Sequence, residues 1–220
     1  MKTKTKITAV FAALFIIAFV IWTVAVCNFD VRAIGPEGTS VGFAALNGFV
    51  HDNVGVNMTL YTVTDILGLV PFAFVLGFAV LGLVQLIVRK SIKKTDKSIL
   101  VLGVFYIAVA AVYIFFEKFA VNYRPVLING VSEISYPSST TMLCLCVMPT
   151  AAMQLRGRIH NKAARAVTVA GIYLFAVFMV AARLVSGVHW VTDIIGGVFI
   201  SFGLVMLYAT ACDIFAKEQN

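Results

Sequence analysis

Six long apolar runs constrain this chain more than any other feature: Ile7–Cys27, Leu60–Val88, Ser98–Phe116, Thr140–Leu155, Ala163–Ala182 and Val191–Cys212. A helix needs about 20 apolar residues to cross a bilayer. Hydrocarbon offers no water to an open backbone, so runs of this kind have one stable form, the spanning helix. The expectation is an all-α, polytopic membrane protein of six transmembrane helices, forming a single membrane-embedded domain over residues 1–220. Composition excludes a soluble globular domain, because 61% of residues are hydrophobic and only 12% charged, against about a quarter charged in soluble domains. The fourth run is short and contains Pro149, which predicts a kinked or tilted helix.

The net charge of +7 raises nucleic acid as a partner. That reading requires a basic patch on a folded soluble face, whereas the basic residues here sit between apolar runs, so no nucleic acid is expected. Counted loop by loop, all but four of the 17 Lys and Arg residues fall on one side of the spans; Arg32, Lys118, Arg124 and Arg183 are the exceptions. The positive-inside rule then puts both termini in the cytoplasm. The majority includes Lys2, Lys4 and Lys6 before the first run, which is too long for the apolar core of a signal peptide and reads as an uncleaved span. The two basic loops, RKSIKKTDK and RGRIHNKAAR, read as anchors facing anionic lipid. The basic amino terminus, with the apolar loops, points to a bacterial inner membrane.

The longest connection, Asn28 to Thr59, contains VGFAALNGFV followed by His51, a pattern that predicts an interfacial helix on the outer surface. Cys27, Cys144, Cys146 and Cys212 lie in or beside apolar runs without metal-ligand spacing and read as buried free thiols. Gly187 and Gly196-Gly197 read as sites of close helix contact. Thr64, Asp65 and Asp213 read as polar ends of spans.

The chemistry lies in the outer cations. Lys118 follows the third span, Arg124 precedes the fourth and Arg183 closes the fifth, and ionisable residues at such depth are costly enough to imply a function. His189 and Asp193 open the sixth span four residues apart, which stacks them on one helical face. A carboxylate there fixes the tautomer of the imidazole and leaves its other nitrogen free as nucleophile or base. Guanidinium forks match phosphate oxygens, so the combination points to phosphoryl transfer, with cations supplying the charge and neither metal nor cofactor required.

These residues resemble the type 2 phosphatidic acid phosphatase superfamily of integral-membrane lipid phosphate phosphatases. The third motif of that family is Ser-Arg, five residues, His, three residues, Asp; Ala182-Arg183, His189 and Asp193 match all but the serine. The second is Pro-Ser-x-His, against Pro137-Ser138-Ser139-Thr140 here. The first is Lys, six residues, Arg-Pro; here Arg124-Pro125 match, Glu117 occupies the lysine spacing, and Lys118 lies one residue closer.

The resemblance implies that His189 attacks phosphorus to form a phosphohistidine, oriented by Asp193, while Arg183, Arg124 and Ser138 hold the phosphoryl oxygens. Lys118 is a further phosphate-binding candidate; its phase on the helix lets it reach Arg124 only if the third span ends before it, and otherwise it is an interfacial anchor. Glu117 would repel phosphate unless paired with Lys118, Arg124 or Arg183.

In the family the second-motif histidine protonates the leaving group, and Thr140 cannot do so near neutral pH. General acid catalysis is worth roughly 10²- to 10⁴-fold, so a substrate leaving as an alkoxide would react slowly, and one leaving as a phosphate monoester would need less help. The implied substrate is a membrane lipid, preferably a polyprenyl diphosphate such as undecaprenyl diphosphate, on the outer face. His51 is an alternative proton source, or else a surface residue; His160, in a cytoplasmic loop, cannot contribute. The competing readings are a relative that binds a lipid phosphate without turnover and a transporter, though no internal repeat of the kind transporters carry is visible.

Overall fold

The computed structural model describes residues 3–217, with side chains through residue 215; Lys2 and the side chain of Lys217, both counted above on the cytoplasmic side, lie outside the described residues. Eight α-helices follow in order: α1 (Thr3–Asn28), α2 (Ala44–Val54), α3 (Met58–Leu67), α4 (Leu69–Arg89), α5 (Lys97–Lys118), α6 (Ser139–Arg156), α7 (Lys162–Val185) and α8 (Val191–Lys217). Extended pairing among the described residues is confined to isolated bridges, Arg32 with Val41, Tyr123 with Ile134 and Ile128 with Val131. The protein is a multi-pass, all-helical membrane protein.

Five passes are long and apolar enough to cross a membrane alone: α1, the α3–α4 stretch, α5, α7 and α8. The sixth, α6, is the inner helix, packed against α4, α5, α7 and α8. Protein rather than lipid surrounds it, so it carries buried polar residues such as Thr141, Thr150 and Gln154 that a lipid-facing helix could not. It runs on through Pro149, and the Thr150 hydroxyl donates to the carbonyls of Cys146 and Val147 at 2.8 and 3.0 Å.

The break comes instead in the second pass. Met58–Arg89 spans 32 residues, which as one straight helix would reach about 48 Å, well beyond a hydrocarbon core of about 30 Å. Pro71 has no N–H to return to the carbonyl of Leu67, and the chain divides at Gly68, whose N–H closes α3 on the Thr64 and Asp65 carbonyls. As a result α3 packs against α7 while α4 packs against α5 and α6.

Both termini lie at one end of the bundle, where the Thr5 hydroxyl meets Asp213 Oδ2 at 3.3 Å. The same end holds the basic connections. Asp96 accepts from Gln85 at 2.8 Å and Arg89 at 2.9 Å, and Gln154 reaches the Ser98 carbonyl at 3.2 Å. At the opposite end, α2 forms where the apolar stretch predicted a helix. It exposes Leu46 and Phe49 and buries Asn47, which donates to the Gly42 carbonyl (2.7 Å) and Thr192 Oγ1 (3.0 Å), staking the first long connection to the start of α8. The cysteines are free, but only Cys144 and Cys146 are buried; Cys27 is exposed at the end of α1, a correction to the expectation of four buried thiols.

The core runs along α8, which packs on α1, α5 and α6. Its approach to α1 depends on Gly203, where an added Cβ would lie 2.8 Å from Ile16 Cγ1 and 3.3 Å from the Ile16 nitrogen. Gly203→Val is expected to lower stability in detergent by about 1–3 kcal/mol through overpacking. Gly103→Val, on α5, where an added Cβ meets nothing within 4 Å, is the control. Thermal unfolding of the two purified variants checks the difference.

Candidate active site

The short α7–α8 connection, Ser186 to Trp190, fixes the central imidazole. Gly187 turns with φ +67°, and a Cβ there would sit 1.9 Å from the Gly55 carbonyl oxygen. The connection leading into α3 crosses at that point, with the Asn57 N–H donating to the Ser186 carbonyl at 3.0 Å. Trp190 then caps α8. Its N–H donates to Asp193 Oδ2 at 3.1 Å, one half of a capping box, and the Asp193 N–H donates to the Trp190 carbonyl at 3.0 Å.

Asp193 is fully buried at a helix N-terminus, where the backbone favours negative charge. Its Oδ1 accepts from Asn122 Nδ2 at 3.1 Å, and its Oδ2 lies 3.6 Å from His189 Nδ1. The other ring nitrogen, Nε2, faces Arg124 Nη1 at 3.1 Å and Arg183 Nη2 at 3.5 Å. Guanidinium groups can only donate, so Nε2 must present its lone pair, and the ring proton sits on Nδ1, toward Asp193. Burial first, then the two guanidiniums, push His189 well below its usual 6.5, outweighing the opposing pull of the Ser135 backbone carbonyl. That shift favours the uncharged ring, with Nε2 facing the cations and Nδ1, 3.6 Å from Asp193 Oδ2, without a hydrogen-bond partner among the described residues.

Arg124 reaches the site from the α5–α6 connection. That segment folds back at Asn129-Gly130, both at positive φ, as expected of an Asn-Gly turn, with Ile128 and Val131 exchanging backbone hydrogen bonds at 3.0 Å. The return brings Glu133 beside Arg124. The Arg124 N–H donates to the Glu133 carbonyl, and its Nε donates to the Glu133 carboxylate, both at 2.9 Å. Arg183 is almost wholly buried; Nη1 donates to Thr64 Oγ1 at 3.2 Å, and the guanidinium lies 4.9 Å from the centre of the Tyr61 ring, which Arg124 also approaches at 5.9 Å. Ser138 opens α6, its N–H donating to the Asp193 carbonyl at 3.1 Å. The Ser138 hydroxyl and Arg183 Nε are both buried without a hydrogen-bond partner among the described residues. Orphaned groups of this kind cost about 1–3 kcal/mol each and mark a place shaped for a polar occupant.

The structure therefore brings His189, Asp193, Arg183, Arg124 and Ser138 together. It does not bring in Lys118, because α5 runs through that residue and leaves its side chain exposed. Glu117 is exposed beside Tyr113; the expected ion pair with a site cation is made by Glu133 instead. His51 packs its ring against Trp190, 5.4 Å between centres, and His160 lies in the connection between α6 and α7. Ser139 and Thr140 line a cavity of about 500 Å³ between α4, α5 and α6, walled by Phe72, Val109 and Leu143 and bordered by Asp65.

Sequence reasoning missed Asn122, Glu133 and Tyr61. The Asn129-Gly130 turn signal was the one clue to the Arg124–Glu133 pair; Asn122 and Tyr61 have no local signature. Asn122→Leu leaves one oxygen of a buried carboxylate unpaired, so it is expected to lower stability by about 1–3 kcal/mol, read as a fall in the thermal unfolding midpoint of the purified protein.

Comparison with known proteins bears on this geometry. The fold matches the crystal structure of a transmembrane PAP2 type phosphatidylglycerolphosphate phosphatase from Bacillus subtilis, with a TM-score of 0.62 and 20% sequence identity, covering 95% of this chain and 97% of the other. No curated protein matches the chain. Residues 118–214, which contain Arg124, Ser138, Arg183, His189 and Asp193, match the family model of the PAP2 superfamily. The chain is thus similar to the PAP2 superfamily over residues 118–214 and in its fold.

Proposed function

We propose that this protein is a membrane lipid phosphatase that hydrolyses a lipid diphosphate through a phosphohistidine on His189. The observation that carries the reading is the His189 Nε2 lone pair facing two guanidiniums. A phosphoryl group entering between them gives Arg124 and Arg183 oxygens to bind in place of the imidazole, and Nε2 is then aimed at phosphorus. Asp193 stabilises the positive charge the ring acquires, and the Ser138 hydroxyl and Arg183 Nε have hydrogen bonds to offer. Phosphoryl transfer is achieved mainly by positioning and charge stabilisation, which these residues supply.

The diphosphate preference rests on Thr140. It lines the cavity between α4, α5 and α6, two residues along the chain from Ser138, and in the proposed reaction the leaving group departs past this hydroxyl, which cannot protonate it. A phosphate leaving group tolerates this and an alkoxide does not. The apolar walls of the same cavity suit an isoprenoid chain, and undecaprenyl diphosphate is the substrate proposed. The cavity lies in one membrane domain spanning the chain. The site lies at the end of the bundle opposite the basic connections and the termini, which supports an outward-facing site, cytoplasmic termini and a bacterial inner membrane.

The test is phosphate release by purified protein, without added metal, from undecaprenyl diphosphate and from phosphatidylglycerolphosphate, which must leave as an alcohol. Diphosphate is expected to react faster by at least about 10²-fold, the low end of what a general acid supplies; equal rates would falsify the leaving-group reading. Arg183→Ala is expected to lower diphosphate turnover by about 10²- to 10³-fold, and His189→Ala to abolish it. Absence of turnover with either substrate would favour a protein that binds a lipid phosphate without reaction.

The His189 shift also sets a pH dependence. Protonating Nε2 removes the lone pair, so activity falls as pH drops through the histidine's own titration. Because burial and the arginines lower that titration, the acid limb of kcat/KM is expected below pH 6.5, once the ionisation of the substrate has been titrated separately. An acid limb at or above 6.5 contradicts a neutral His189 held by two cations.

A further inference from the structure

The reaction has a second half. Once His189 carries the phosphoryl group, water must attack phosphorus in line with the P–N bond, from the side the leaving group has vacated, and must lose a proton as it does so. On the reading above that side is where Thr140 lies, and Thr140 and Ser139 line the cavity between α4, α5 and α6. A threonine hydroxyl does not accept a proton near neutral pH, and the Tyr106 and Tyr113 phenols that also line the cavity are themselves protonated there. Asp65 is the one carboxyl group among the lining residues.

The position of Asp65 follows from the broken second pass. Thr64, its neighbour on α3, takes the Arg183 guanidinium at 3.2 Å, which sets Asp65 at the height of the phosphoryl site, close enough for its charge to act on Arg183. The break at Gly68 ends α3 just beyond it. A carboxylate at a membrane-spanning depth is costly against lipid; Asp65, exposed on α3, borders the cavity. The sequence reading of Asp65 as a polar span end leaves that placement unexplained.

Resting on the phosphohistidine reading above, we propose that Asp65 is the general base for hydrolysis of the phosphoenzyme, in place of the second-motif histidine this chain lacks. The water oxygen forms the new P–O bond, the P–Nε2 bond breaks with its electron pair returning to the imidazole, and the Asp65 carboxylate takes the water proton and later releases it to solvent. A carboxylate in this place also repels a phosphate leaving group, which speeds the clearing of the space that water must enter.

The experiment follows polyprenyl diphosphate labelled in its terminal phosphate, with an alkaline quench to preserve phosphohistidine. Asp65→Asn is expected to release about one equivalent of lipid monophosphate in a burst, accumulate labelled enzyme, and then turn over roughly 10²- to 10⁴-fold more slowly than wild type. Wild-type turnover by this variant overturns the inference. So does a loss of burst and steady state together without labelled enzyme, which assigns Asp65 to the first step or to the fold. Asp65→Glu keeps a carboxylate and is expected to stay within about tenfold of wild type and to trap no label; trapping as much as the Asn variant overturns the inference independently. A His189→Ala enzyme that still turns over rejects the phosphohistidine reading and this inference with it. An inactive His189→Ala beside a fully active Asp65→Asn rejects the Asp65 role alone.

Discussion

Two guanidinium groups converge on one imidazole nitrogen in a buried site, and much of the surrounding structure serves to make that arrangement tolerable. Like charges this close repel strongly at low dielectric, and buried charges need partners. The two arginines are balanced in different ways. Arg124 has a full countercharge in Glu133, while Arg183 has a hydroxyl, Thr64, and the face of an aromatic ring, Tyr61. A cation over a ring face is held without being neutralised. Arg183 therefore keeps its charge available to an anion while remaining fixed in position.

That requirement explains the roles of helices that contribute no reacting group. The short α3 is turned aside from α4 and packs on α7, which presents Tyr61 and Thr64 to Arg183. The fold-back at Asn129-Gly130 presents Glu133 to Arg124. Asp193 is held from three directions: by the Trp190 N–H at the start of its own helix, by Asn122 from the α5–α6 connection, and through its carbonyl by the Ser138 N–H at the start of α6. The helix starts of α6 and α8 are thereby bonded to each other, and His189 and Ser138 lie on those two starts.

Much of this was legible in the sequence. Lipid forces apolar runs into helices, so the passes could be counted directly. His189, Asp193 and Arg183 lie close in sequence across one helix junction, where spacing fixes geometry. The gaps have physical causes. Gly68 and Pro71 divide a run whose hydropathy is continuous, because hydropathy records solvent preference and not backbone hydrogen bonding. The composition of α6 is weakly apolar because protein surrounds it. Asn122, Glu133 and Tyr61 act through contacts between distant segments, which no local pattern encodes. Glu117 holds a motif spacing and Lys118 lies one residue off it, but α5 continues through both and leaves them exposed.

The charge distribution across the site gives the reaction a direction. In the proposed reaction Arg124 and Arg183, which face the imidazole, hold the phosphoryl group, and Asp65, Ser139 and Thr140, which line the cavity, border the path of leaving group and water. The cations would hold the transferring group through both half-reactions. The carboxylate and hydroxyls offer no strong hold to a departing phosphate, yet they can orient and deprotonate water. The substitution of Thr140 for a histidine is thus not simply a loss. In the proposed reaction it removes a group that would be cationic when protonated from the exit side, so that a diphosphate would lose its leaving group toward negative charge. On the proposed reading, a site built this way is poor at expelling alkoxides and well matched to a leaving group that already carries its own charge.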